Sequence, residues 1–172
     1  PLDPTQTPGK NAQRYFAKYN KQKRTFEALT ELIQETADDI QYLESISNAL
    51  DIALSEADLA QIKEELMQSG YIRRKHTKKK VKLTSKPMHY ISSDGYDMYV
   101  GKNNLQNEEL TFSFANGNDW WFHAKGAPGS HVIVKSGGDE LPDRTFEEAG
   151  RLAAYYSKNR GADKVEIDYI QK

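Results

Sequence analysis

DWWFHAKGAPGSHVIV, residues Asp119 to Val134, decides how the C-terminal half of this chain is read. Trp120 to Ala124 and His131 to Val134 are rich in aromatic and β-branched residues, and the pattern predicts two strands joined by the loop from Lys125 to Ser130. A segment built only for packing would alternate apolar and polar residues and stop at a turn. Here Lys125, Ser130 and His131 stand beside Gly126 and Gly129, which can bring backbone N–H groups close to a ligand. The loop is therefore a candidate contact for an anion or a nucleic acid, with a tight hairpin as the alternative use of its glycines. Trp120 and Trp121 must face opposite sides of their strand, so one enters the core and the other packs under a loop or offers a stacking surface to a base. His123 and His131 lie eight residues apart with no third ligand signalled, which favours structural histidines over a metal site. Asp119, Ser130 and His131 lack any nucleophile-elbow pattern, so no catalytic residue and no cofactor is assigned and the chain is read as a binding protein, not an enzyme.

Outward from this stretch, the module continues in both directions. Tyr96, Met98 and Val100 alternate with polar neighbours after Asp94-Gly95, predicting a hairpin whose strands begin at Met88. Gly101 to Asn107 breaks that pattern, and Leu110, Phe112 and Phe114 fit a strand by alternation while Leu110, Phe114 and Ala115 fit a helical face. Thr145-x-x-Glu148 predicts a capping box opening a helix with Ala149, Leu152, Ala153 and Tyr156 on its apolar face, ending at Arg160-Gly161. Val165, Ile167 and Tyr169 alternate as a last strand.

The N-terminal part has helical periodicity. Tyr19, Phe26, Leu29, Ile33, Ile40, Leu43 and Leu50 form an a/d stripe, interrupted at Thr36 and Ser47, that needs a partner strand: an outgoing arm or a second copy of the chain. Ser55 and Asp58 then start a further helix with Leu59, Ile62 and Leu66 on its apolar face and Gly70 as its C-terminal cap. The reading is α+β: a long helical coiled-coil arm over 1–70, a basic linker over 71–87, and over 88–172 a small mixed sheet with a flanking helix.

Net charge is −1, but the charges are segregated. Lys10 to Arg24 holds six Lys or Arg and no acid, Thr25 to Gly70 eleven acids against Lys63 alone, and Tyr71 to Lys86 eight Lys or Arg and no acid. The last block fits a polyanion contact, and Arg73, Arg74, Lys78, Lys79 and Lys80 are assigned to it. Val81 and Leu83 alternate with Lys80, Lys82 and Thr84, so the end of the linker can pair as an edge strand. With no cysteine, disulfides and thiolate chemistry are excluded. No apolar run suits a signal peptide or a membrane span, and a cytoplasmic setting is expected.

The motif Asp119, Trp121-Phe122-His123 and Pro128-Gly129-Ser130-His131, with Asn104, Asn107 and Leu110-Thr111 upstream, resembles the signature of the NFACT-R domain of the NFACT family. LDPTQTPGKNAQRYFAKYNKQKR, beginning at Leu2, resembles the opening of the returning arm of that family's coiled coil. The resemblance implies a fragment, consistent with a start at Pro1, with the family's N-terminal domains missing and the module trimmed at Lys172. It also implies a part that helps a ribosome quality-control factor engage the large ribosomal subunit and tRNA on stalled nascent-chain complexes. Carried over as nucleic-acid-binding residues are Asp119, Trp121, His123, Gly129, Ser130 and His131, joined by Lys125 and Gly126 from the loop. The fibronectin/fibrinogen-binding name borne by streptococcal members implies a second reading as an adhesin, which strand addition or helix pairing could serve. A homodimer through the arm is a further expectation.

Overall fold

The computed structural model describes residues 1–73 and 84–172. Arg74, Lys78, Lys79, Lys80 and the edge strand expected near Val81 lie outside the described residues. The chain divides into two compact units, Pro1–Tyr42 and Leu43–Lys172.

In the first unit, helix α1, which runs over Pro8–Ile52, opens on Pro8, whose fixed φ suits the first helical position. The preceding residues fold back on the first turns. Asp3 N–H donates to Asn11 Oδ1 (2.8 Å), Asn11 Nδ2 donates to the Asp3 carbonyl (2.9 Å), and the Tyr15 hydroxyl reaches the Pro1 carbonyl (2.8 Å). That explains much of the LDPTQTPGKNAQRY stretch as a helix start. The expected stripe faces solvent, with Phe26 72% and Ile33 67% exposed.

The second unit contains the end of α1, helix α2 (Glu56–Gln68), and the sheet with its helices. The capping box read at Ser55 is present: its side chain accepts from Asp58 N–H and the Asp58 carboxylate accepts from Ser55 N–H. Gly70 is left-handed at φ 83° just past the helix end. Strands β1 (Met88–Ile91) and β2 (Asp97–Val100) form the hairpin, turning through Gly95 at φ 89°. Helix α3 (Asn104–Glu109) follows, then a π-helical turn over Leu110–Phe114, β3 (Trp120–Ala124), β4 (Val132–Val134), helix α4 (Asp143–Tyr155) and β5 (Ile167–Gln171).

The five strands run in the order β1-β2-β4-β3-β5, and all four pairings are antiparallel. This corrects the expected mixed sheet in detail while the α+β class stands. Both helical connections, β2 to β3 and β4 to β5, pass over an intervening strand, so strands that run the same way are never neighbours.

The sheet has two unlike faces. On one, Met98, Val100, Phe122, Val132 and Val134 pack with Leu141 and with Ala149 and Ala153 of α4, all buried, and Trp120, Phe146, Leu152 and Tyr156 close around them. On the other, Ile133 packs with Leu110 and Ala115, flanked by Tyr99 and Trp121. The two tryptophans therefore lie on opposite faces, as the strand geometry requires.

Two sequence expectations fail at α4. The helix starts at Asp143 with no side-chain cap, because Thr145 is buried and its hydroxyl donates instead to Asp94 Oδ2 (2.7 Å) and lies in hydrogen-bond contact with the Ser92 hydroxyl (3.0 Å), while Glu148 accepts from Ser93 N–H (2.8 Å). These bonds tie α4 to the β1-β2 turn. Its α-helical span also ends at Tyr155 rather than near Arg160, because Ser157 is drawn into a bridge with Gly129.

Candidate nucleic-acid interface

The β3-β4 loop is fastened to the end of α4. Ser130 N–H donates to the Tyr156 carbonyl (3.0 Å) and Lys158 N–H to the Pro128 carbonyl (2.8 Å). A Cβ on Gly129 would lie 2.9 Å from Ser157 Cβ and 3.2 Å from its Cα, so glycine is required for this approach. Gly126 differs: it takes φ 63° with open space around the missing Cβ, so its glycine serves the turn. The G-x-x-G pattern thus divides into one packing glycine and one turn glycine.

Asn107 holds the loop from the α3 side. Its Oδ1 accepts His131 N–H (3.0 Å) and its Nδ2 donates to the Gly129 carbonyl (3.1 Å). A Cβ at Gly101 would collide with Asn107 Oδ1 at 2.1 Å, so Gly101 provides room for this clamp. With Ser130 and His131 N–H groups both engaged internally, these two are not available to a phosphate.

Beside the loop, three rings meet on the face under α3. Trp121 stacks near His123 (5.7 Å, 25°), and His131 stands edge-on to Trp121 (5.1 Å, 82°) and to His123 (5.1 Å, 79°). His131 Nδ1 shares a 2.7 Å hydrogen bond with Thr111 Oγ1. Burial first, and the neighbouring His123 second, hold His131 down at about 4, against the opposing pull of the Asn107 main chain. His123 is lowered too, by burial, with the Asp168 charge and the Gly129 main chain opposing. Both imidazoles are neutral near pH 7, so each ring carries one donor and one acceptor nitrogen, of which His131 already commits Nδ1 to Thr111. They can read a base edge or a sugar hydroxyl but add no positive charge.

The other expected site residues are dispersed. Asp119 is buried, its carboxylate accepting Asn116 N–H (2.7 Å) and pairing with Lys135, so it anchors the start of β3. Ser130 is buried with a hydroxyl that has no partner among the described residues. Lys125 is exposed and 3.3 Å from Glu166. Arg73 is exposed. Among the described residues, no hydrogen bond joins Asp119, Ser130 and His131 into a relay, and no group of three or more His, Cys, Asp or Glu could hold a metal ion.

Sequence reasoning missed a polar network that sets α2 against α3. Asp58 is 1% exposed, pairs with Lys102 Nζ (2.9 Å) and accepts from Ser85 Oγ. Although burial is the largest influence on Asp58 and acts upward, the donors of Ser85, Lys102, Leu54 and Ser55 together hold its carboxyl well below the usual range. Gln106 Nε2 donates to Gln61 (2.7 Å) and Ser85 (2.8 Å), Asn103 Nδ2 to Gln61 (2.9 Å), and Asn104 Nδ2 to Ser45 and Glu65 (2.7 Å each). The only signal was the density of amides in Asn103-Asn104-Leu105-Gln106-Asn107, which does not name the partners.

Residues 1–85 match the family model for NFACT N-terminal and middle domains, and residues 86–172 the model for the NFACT protein RNA binding domain. The chain belongs to the NFACT family. Among curated NFACT relatives, the Rqc2 homolog RqcH of Streptococcus pneumoniae is 47% identical over 171 residues, 99% of this chain and 30% of that protein. The Rqc2 homolog RqcH of Bacillus subtilis is 40% identical over 176 residues, with the same coverage. The chain thus spans less than a third of the length of these relatives. A solved structure of the C-terminal part of the fibronectin/fibrinogen-binding protein from Streptococcus suis is similar at TM-score 0.84 and 46% identity, covering 96% of this chain and 66% of that one. No helix among the described residues is long and apolar enough to cross a membrane.

Proposed function

We propose that this chain is the RNA-binding part of a ribosome-associated quality-control factor, which engages the large subunit and tRNA on stalled nascent-chain complexes in the cytoplasm. The observation that carries the reading is the match of residues 86–172 to the NFACT RNA binding domain, in a chain 40–47% identical along nearly its whole length to proteins named Rqc2 homolog RqcH. The division of labour follows from the chemistry of the site. Lys125 and the basic run Arg73, Arg74, Lys78, Lys79 and Lys80 supply phosphate contacts and hence salt dependence. Trp121, His123 and His131, neutral and partly open, supply stacking and base-edge or 2′-hydroxyl contacts. Gly126, Gly129, Asp119 and Ser130 shape and hold that surface. The part binds without catalysing, and the exposed stripe of α1 supports pairing with a second helix, from the intact protein's outgoing arm or from another copy.

A salt titration of binding to labelled tRNA and to large ribosomal subunits tests this. Affinity should fall steeply with ionic strength, and reversing Lys78, Lys79 and Lys80 to glutamate should flatten the slope by about one unit per lysine lost. The likeness to the fibronectin/fibrinogen-binding protein of Streptococcus suis favours a second reading, attachment to fibronectin or fibrinogen. Salt-insensitive binding to immobilised fibronectin with no RNA affinity would establish that reading and end the first.

A further inference from the structure

The outer edge of β1 carries a site that the RNA reading does not use. Ser92 N–H donates to the Tyr96 carbonyl (2.8 Å), which fixes the phase of the β1-β2 ladder. With the registers Tyr90 to Met98 and Met88 to Val100, alternation makes those two pairs the hydrogen-bonded ones and turns the N–H and C=O of His89 and Ile91 outward. The neighbouring ladder agrees. Gly101 N–H donates to the His131 carbonyl and Lys135 N–H to the Asp97 carbonyl, so the odd-numbered positions of β2 bond toward β4 and the even ones toward β1. His89 and Ile91 are both exposed, and among the described residues no hydrogen bond meets their outward main-chain groups.

Edges are commonly guarded by Lys, Pro or an inward charge. β1 reads Met-His-Tyr-Ile and contains none of these, whereas β5, at the opposite edge, carries Asp168. Beside β1, on the α4 side, lies a groove of about 420 Å³ lined by Tyr90, Ile91, Met98, Leu152 and Tyr155, with Ser93, Glu148 and Arg151 at its polar margin. Its apolar rim is open to solvent: Ile91 is 67% and Tyr155 64% exposed.

We propose that the β1 edge takes an extended peptide as a further strand, with an apolar side chain of that peptide seated in the groove beside α4. The outward N–H and C=O of His89 and Ile91 supply the ladder bonds. Side chains alternate across a strand, so every second residue of the peptide points toward the groove. A polyanion is a poor occupant, because the charges at the margin are already matched. Glu148 accepts from Ser93 and lies 3.6 Å from Arg144, and Arg151 lies 3.3 Å from Glu147.

The test uses the whole chain, 15N-labelled, titrated with a soluble peptide of alternating Thr and Leu flanked by lysines, and with the same peptide N-methylated at alternate amides. The unmethylated peptide should shift the His89 and Ile91 amides and the α4 amides near Tyr155. Methylation in the register that faces the edge should weaken binding at least tenfold, as should Tyr155→Asp, a change at an exposed position that leaves the melting temperature in place. His89→Pro, which removes one outward N–H from an edge strand, should act likewise. Absence of peptide binding at millimolar concentration, equal affinity for all methylated forms, or unchanged affinity in Tyr155→Asp would each overturn the proposal. So would oligouridylate moving the His89 and Ile91 amides where the peptide does not.

Discussion

The two faces of the sheet are made by the same strands offset by one residue, and they differ in kind. Trp120 and Phe122 point into an apolar layer sealed by Ala149, Ala153 and Phe146, where Phe122 is stacked edge-on against Phe146 at 4.9 Å. Trp121 and His123 point to the opposite face, where amide clamps and a π-helical turn cover Ile133 but leave the rings half open. One face commits its centre to packing and leaves open surface only at its β1 margin. The other gives up part of its burial and holds hydrogen-bonding groups at a defined place. Because side chains alternate strictly, a one-residue slip of β3 would exchange the two roles.

The largest expected effect tests that contrast directly. Phe122→Ala should destabilise by about 3–5 kcal/mol, the usual loss for a fully buried aromatic. Trp121→Ala should cost clearly less, below about 3 kcal/mol, because the ring it removes is only half buried. Urea unfolding of both variants decides the matter, and equal losses would mean that both faces carry the fold alike. Trp121→Ala should also weaken RNA binding at constant salt slope, since it removes stacking and no charge.

A smaller effect sharpens the comparison through pH. Charging His131 is disfavoured in the folded state, where its value is about 4 against 6.5 when unfolded. Below 6.5 the unfolded chain binds the proton first, so stability is intact above pH 6.5 and is lost as pH falls toward 4. The loss should be on the order of 2–3 kcal/mol, with His123 acting in the same direction. Replacing His131 with Asn should flatten thermal stability across that window. The carboxylate of Asp58, held low by its donors, contributes stability that is lost only at more acid pH, below the ordinary aspartate value of 3.8. A melting curve against pH that stayed level from 6.5 to 4 would show the ring cluster to be solvated rather than buried.

The closed face was legible in the sequence and the open one only in part, for a physical reason. Alternation in Met98-x-Val100 and around Phe122, the Asp94-Gly95 turn and the Ser55 to Asp58 box are local patterns, and local patterns are what periodicity and cap chemistry record. The helical face Ala149, Leu152, Ala153 and Tyr156 was readable on the same grounds. Thr145 and Glu148 have the spacing of a capping box, yet the β1-β2 turn offered them tertiary partners and won. Asp58, Lys102 and Gln106 act across 21 to 45 residues of sequence, and nothing local specifies which amide meets which carboxylate. The alternation and the helical face both visible at Leu110 to Ala115 were resolved by a π-helical turn, which carries neither period cleanly.

The loop between the two faces yields the smallest effect and the finest distinction. Gly129 touches the closed side of the molecule, because its backbone lies against Ser157 at the end of α4, whereas Gly126 faces open space. Ala at 129 must push the Ser157 backbone away, and a loss of about 1–3 kcal/mol is expected. Ala at 126 meets no atom and suffers only the left-handed backbone, about 1 kcal/mol. The two substitutions add the same methyl group three residues apart, so their difference isolates contact from conformation. Hydrogen exchange at Ser130 reads it out: the bond from Ser130 N–H to Tyr156 should open in Gly129→Ala and stay protected in Gly126→Ala. If both variants lost that protection equally, the loop would be held by its turn rather than by α4, and the ring cluster beside it would owe its place to Asn107 alone.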